Sequence, residues 1–137
     1  MYAAGAPHRL REPSLAVMGL LARHGSEFVT DAEIFQEILH RYRALDQWER
    51  GWAIFERLWA LISSRTEPVF PGDVQRAAHL ANRITGPSAR DLLHVAVMER
   101  LGCTHIVSAD RGFDAFPGIT RLDPVDVPRW RALVEQP

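Results

Sequence analysis

Two stretches of this chain carry residue types that could do chemistry: Ser88-Ala-Arg-Asp91-Leu-Leu-His-Val-Ala-Val and Ile106-Val-Ser-Ala-Asp110-Arg-Gly-Phe-Asp114. The first places an acid at the start of an apolar helix. The second places two acids just past a short β-branched run, where a parallel sheet would end. Carboxylates gathered at such a rim suit Mg²⁺ or Mn²⁺ held against a phosphate, because Mg²⁺ takes oxygen ligands in octahedral geometry and keeps several waters. A metal there would activate water and stabilise the charge developing on a phosphodiester. Each acid taken alone has a plainer reading. Ser88-x-x-Asp91 has the form of a capping box, and an acid in a first turn is favoured by the helix dipole. Asp110 and Asp114 sit in a loop-forming run and read as turn residues. The set gains force only as a set, since several carboxylates meeting at one rim repel one another unless a cation neutralises them.

The elements that would position these acids alternate between helix and strand. Residues 12–24 read as a helix stopped by Gly25, and Phe28-Val29-Thr30 as a short buried strand. Thr30 or Asp31 caps a helix whose apolar stripe runs Ile34, Phe35, Ile38, Leu39, Tyr42 and Leu45, with Glu37 off its centre. A helix over 47–62 carries Trp48, Trp52, Phe55, Trp59 and Ile62, a wide aromatic face that reads as core and in part as a protein interface. Pro68-Val-Phe70 reads as a second strand. Gly72-Asp73 opens a helix that Gly86-Pro87 ends, and Ser88 caps the next one. Thr104–Val107 reads as a strand, Phe116-Pro-Gly118 as a turn and Ile119–Leu122 as an edge strand. Strands alternating with helices imply parallel βαβ units, and in such sheets ligands sit outside the carboxyl ends of the strands.

Composition narrows the function. At 137 residues and 47% hydrophobic, the chain is one domain's worth of material. Its net charge of -1 gives no basic footprint of the kind that advertises nucleic acid, although a site that recruits divalent cations brings its own positive charge. A single cysteine, Cys103, excludes an internal disulfide and any site built on several thiolates. The six histidines show no two-ligand helical spacing, which disfavours zinc. His94 reads as a packed residue, while Arg90 and Arg111 flank the acids and are equally suited to steering a phosphate or to pairing at the surface. No signal peptide and no long apolar run is present, so secretion and membrane spanning are disfavoured.

Together with Thr30-Asp-Ala-Glu-Ile-Phe-Gln-Glu37-Ile-Leu-His-Arg-Tyr, these stretches resemble the PIN-domain ribonucleases, specifically the VapC toxins of prokaryotic type II toxin–antitoxin systems. The resemblance covers nearly the whole chain. It implies an α/β fold, a three-layer α/β/α arrangement around a central parallel sheet, as a single PIN-like domain over 1–137. It also implies Mg²⁺- or Mn²⁺-dependent endonucleolytic cleavage of cellular RNA, a homodimer, and neutralisation by a cognate VapB antitoxin; the single cysteine fits a reducing cytoplasm. By motif, Glu37, Asp91 and Asp110 match the family's catalytic and metal-holding acids, Asp114 a more variable fourth metal position, and Ser108 the Ser/Thr before the third acid.

One departure stands out. The family begins with an apolar strand ending in Asp-x-Asn, whose aspartate belongs to the metal site, whereas Met1-Tyr-Ala-Ala-Gly5 looks like what normally follows that motif. The expectation is that the first strand is absent as written, through a start assigned too far downstream, and that the polypeptide as written is poorly active. The alternative is a catalytically impaired PIN-like module that binds the antitoxin without cleaving RNA.

Overall fold

Helical periodicity accounts for most of the chain in a computed structural model that describes residues 8–136. The expectation about a first strand lies outside these residues. The described residues divide into two compact units, 8–67 with 124–136 and 68–123.

The first unit opens with helix α1 (Arg11–Arg23), which buries Leu20 and Leu21. The strand expected at 28–30 forms slightly later, as β1 (Thr30–Asp31), while Phe28 packs with Leu21, Phe35 and Ile62. Asp31 is buried, and its carboxylate accepts the Glu33 N–H at 3.0 Å, which satisfies an orphan donor at the start of α2 (Glu33–Ala44). Phe35, Ile38 and Tyr42 form the buried stripe of α2 at helical spacing. Helix α3 (Trp48–Ile62) packs on it, with Ile54 against Ile38 and Tyr42. The close approach needs Gly51, because a Cβ there would run into Cβ and Cγ of Tyr42. Strand β2 (Thr66–Glu67) returns parallel to β1, Thr30 opposite Thr66 and Asp31 opposite Glu67. The sequence pattern had pointed to 68–70 for this strand. The ladder ends before Pro68, which has no N–H to offer it. Two short helices the sequence pattern did not reveal, α6 (Val127–Trp130) and α7 (Ala132–Glu135), bury Val127, Trp130 and Val134 in this unit.

The second unit carries α4 (Pro71–Ala81), α5 (Ala89–Leu101), β3 (His105–Val107) and β4 (Thr120–Leu122). Pro71 sits at the first position of α4, where its missing N–H costs nothing. The helix ends at Ala81, short of the expected Gly86-Pro87 stop. Ala77 and Leu80 of α4 pack on Leu92, Val95 and Ala96 of α5 and on Phe113 and Phe116, forming the core of this unit. Burying side chains of the Leu, Val and Phe class is worth about 1.5–3 kcal/mol each. Two ion pairs add to the helix contact: Arg76 with Glu99, and Arg100 with the buried Asp73 at 2.9 Å. Asp73 also accepts the Phe70 N–H at 2.8 Å, and Arg100 donates to the Pro68 carbonyl, so one arginine secures the entry to α4. Strands β3 and β4 are parallel, with His105 opposite Thr120 and Val107 opposite Leu122. The turn at Phe116–Ile119 forms as expected, with Gly118 at φ 84° and the Ile119 N–H on the Phe116 carbonyl.

Candidate metal centre

Ser88 and Asp91 satisfy each other's backbone at the start of α5. The Ser88 hydroxyl accepts the Asp91 N–H at 3.2 Å, and Asp91 Oδ2 accepts the Ser88 N–H at 2.7 Å. This is the capping box the sequence spacing suggested. It fixes the half-buried Asp91 at the head of a helix whose far end is closed by Gly102 in the left-handed conformation. Among the described residues, Asp91 Oδ1 makes no hydrogen bond or ion pair.

The second acid is positioned by the end of β3. The Ser108 N–H bonds the Leu122 carbonyl at 3.2 Å, so the ladder runs to this residue before the chain leaves the sheet. The Ser108 hydroxyl then accepts the Asp110 N–H at 3.0 Å, and Asp110 Oδ1 accepts the Gly112 N–H at 2.8 Å. These bonds wind residues 111–115 into a 3₁₀ turn. Phe113, buried at 4% exposure, and Phe116 anchor the turn in the core. Asp110 is left exposed at the carboxyl end of β3, the rim where α/β sheets place their ligands.

Both carboxylates border Gly112. A Cβ built on Gly112 would lie 3.1 Å from Asp110 Oδ1 and 3.7 Å from Asp91 Oδ2. Neither acid has a cationic partner among the described residues. Two like charges brought together without compensation favour a bound cation, and an all-oxygen donor pair suits a hard divalent ion that keeps most of its own water. Among the described residues no three His, Cys, Asp or Glu side chains form a metal-holding group, so Asp91 and Asp110 stand as a pair.

Asp114 has different surroundings. Arg121 donates to both of its oxygens, at 2.8 and 3.3 Å, and also to the Ser108 carbonyl at 3.1 Å and to Asp123 at 2.9 Å. Arg111 lies 3.8 Å away. The hydrogen-bonded Arg121 guanidinium holds the Asp114 carboxyl below the usual carboxylate range, and the two aspartates push Arg121 further up. Glu37 is half-buried on α2 in the first unit and makes no hydrogen bond or ion pair among the described residues. The sequence pattern did not single out Gly112 or Arg121. Arg121 has no local signature, since its partners at 108, 114 and 123 are gathered only by the β3–β4 pairing.

The PIN-domain family profile matches residues 4–119. The VapC ribonuclease Mb1869c of Mycobacterium bovis is 40% identical over 124 residues, which covers 89% of this chain and 92% of that protein. The ribonuclease VapC13 of Mycobacterium tuberculosis matches with the same figures. The chain belongs to the PIN-domain family, among its VapC ribonucleases. A further M. tuberculosis relative, the ribonuclease VapC23, is 36% identical over 112 residues, 80% of this PIN domain chain and 86% of that protein. No solved structure matches it. PIN-domain ribonucleases work with a divalent metal, and the oxygen donors of Asp91 and Asp110 fit one. No described helix of this PIN protein is long and apolar enough to cross a membrane.

Proposed function

We propose that this PIN domain cleaves cellular RNA endonucleolytically as a VapC-type toxin, with Asp91 and Asp110 holding Mg²⁺ or Mn²⁺ at the carboxyl end of β3. The observation that carries the reading is that both carboxylates border Gly112 and neither forms an ion pair among the described residues. When bound, such an ion activates water and stabilises charge developing on the scissile phosphate. Asp91 Oδ2 both holds the helix start and borders Gly112, which leaves the carboxylate's remaining lone pairs for the ion. Asp110 is kept in place by Gly112 and Ser108, and the Ser108 O–H is still able to donate to a water or a phosphate oxygen. Glu37 stands in the proposal on the family motif alone. Asp114 stands there as a more variable fourth acid, its charge already compensated by Arg121.

The same reading treats residues 1–137 as one PIN domain that acts in the cytoplasm as a homodimer and is neutralised by a VapB-type antitoxin. The half-exposed edges of Trp52 (47%) and Trp59 (49%) support a protein interface on α3. The test is cleavage of RNA by the purified protein in Mg²⁺ or Mn²⁺. Asp91→Asn and Asp110→Asn should each lower the rate by about 100-fold or more with unchanged circular dichroism, because an asparagine oxygen still accepts the capping N–H. Variants that cut as well as the parent would refute the assignment. A protein that captures a VapB-type antitoxin yet leaves RNA intact in both metals would refute the catalytic reading.

A further inference from the structure

Gly112 occupies the one place where the two acids of the site come together, and the fold gives no reason for a glycine there. The left-handed glycines among the described residues are Gly86, Gly102 and Gly118, and Gly112 is not one of them. It lies inside the 3₁₀ turn 111–115, a conformation that any L residue adopts. An alanine would therefore meet no backbone penalty, and by narrowing the unfolded ensemble it would favour folding. What a side chain would disturb is the Asp110 carboxylate, which would have to give by a few tenths of an ångström, while Asp91 would be in ordinary contact. A Cβ would stand 3.1 Å from Asp110 Oδ1, 3.8 Å from Asp110 Cγ and 3.7 Å from Asp91 Oδ2.

We propose that Gly112 is a positioning residue of the metal centre: its missing side chain keeps open the gap between Asp91 and Asp110, and its N–H sets the orientation of the Asp110 carboxylate. The inference rests on the reading of Asp91 and Asp110 as the metal-holding pair. Oxygens that share an Mg²⁺ at about 2.1 Å stand about 3 Å apart, so a methyl group bordering both carboxylates competes for the volume the ion and its waters require. Retreat of Asp110 Oδ1 from that methyl would strain the 2.8 Å bond from the Gly112 N–H that sets the carboxylate's orientation. The carboxylate would then turn away from Asp91. Asp110 is exposed and Asp91 half-buried, so the side chains give way without disturbing the core.

The test measures Mn²⁺ affinity on the full chain, by titration calorimetry or by the electron paramagnetic resonance of free Mn²⁺, beside thermal unfolding without metal. Gly112→Ala should weaken Mn²⁺ binding by about tenfold or more, and Gly112→Val further, while the metal-free Tm stays at or above that of the parent. Gly118→Ala, which strains a left-handed residue with open space around it, should do the reverse, lowering the Tm and leaving Mn²⁺ affinity unchanged. Parent-like affinity in Gly112→Ala overturns the inference, as does a loss of affinity that comes only with a loss of metal-free Tm. If Mn²⁺ binding needs Asp91 and Asp110 but ignores Gly112→Ala, the inference about Gly112 alone falls. If binding is undetectable in the parent, or survives Asp91→Asn and Asp110→Asn unchanged, the reading of the pair falls with it.

Discussion

Within the second unit, two groups of acids a few residues apart are treated in opposite ways. Asp114 and Asp123 share the guanidinium of Arg121, which also ties down the Ser108 carbonyl, and Asp73 is matched by Arg100. Asp91 and Asp110 both border Gly112 and form no ion pair among the described residues. Among the described residues their bonds are to backbone amides and to the hydroxyls of Ser88 and Ser108, which fix where they are without neutralising them. The difference separates two uses of a carboxylate. An acid paired with arginine steadies the loop, and an acid held in place yet uncompensated keeps an electrostatic demand that a divalent ion can meet. The arginine-bound group also serves the other one, since Arg121 pins both ends of the loop that presents Asp110.

The comparison can be broken first at its strongest point. Asp91→Asn and Asp110→Asn should each lower RNA cleavage to about 1% of the parent rate or below, and by relieving repulsion they should leave the metal-free Tm unchanged or higher. A fall in Tm would place these two acids with the structural group instead. Next in size is Arg100→Met, which strands the buried Asp73 and should lower stability by about 2 kcal/mol in denaturant unfolding, with little effect on Mn²⁺ affinity.

A smaller effect concerns acid. Arg100 and Arg121 hold Asp73 and Asp114 below the ordinary carboxylate range. Because the folded-state values are lowered, the unfolded chain takes up protons first as pH falls. Their contribution is therefore full above about pH 4–5 and is lost as pH drops through the lowered values. Tm measured across that acid limb should fall less steeply in Arg121→Gln and Arg100→Met than in the parent. Smallest of all, Asp114→Asn should change RNA cleavage by no more than about tenfold; a loss as deep as that of Asp110→Asn would move Asp114 into the metal-holding pair.

Sequence pattern made some of this arrangement legible and hid the rest, for physical reasons. The long helices announce themselves by apolar spacing, and the Ser88–Asp91 box by its own four residues, because both signals are local. The strands are only two or three residues long, so alternation had nothing to act on. Apolar runs at 28–30 and 68–70 drew attention away from Thr30–Asp31 and Thr66–Glu67, which form the ladder. Asp31 illustrates the difficulty: a buried acid in a strand, acceptable because its oxygen caps α2. The acids at 91 and 110 were visible as residues, but their meeting was not, since it depends on Phe113 and Phe116 seating the 3₁₀ turn against α5. Gly112 and Arg121 have meaning only in that three-dimensional setting. The short helices after residue 126 were missed because four-residue turns leave too few positions for a helical period to show.

The most direct test of the contrast is thermal unfolding with and without excess Mn²⁺, since a ligand that binds only the folded state raises its stability. Mn²⁺ should raise the Tm of the parent and of Asp114→Asn and fail to raise that of Asp110→Asn. An equal rise in Asp110→Asn and the parent would contradict that contrast.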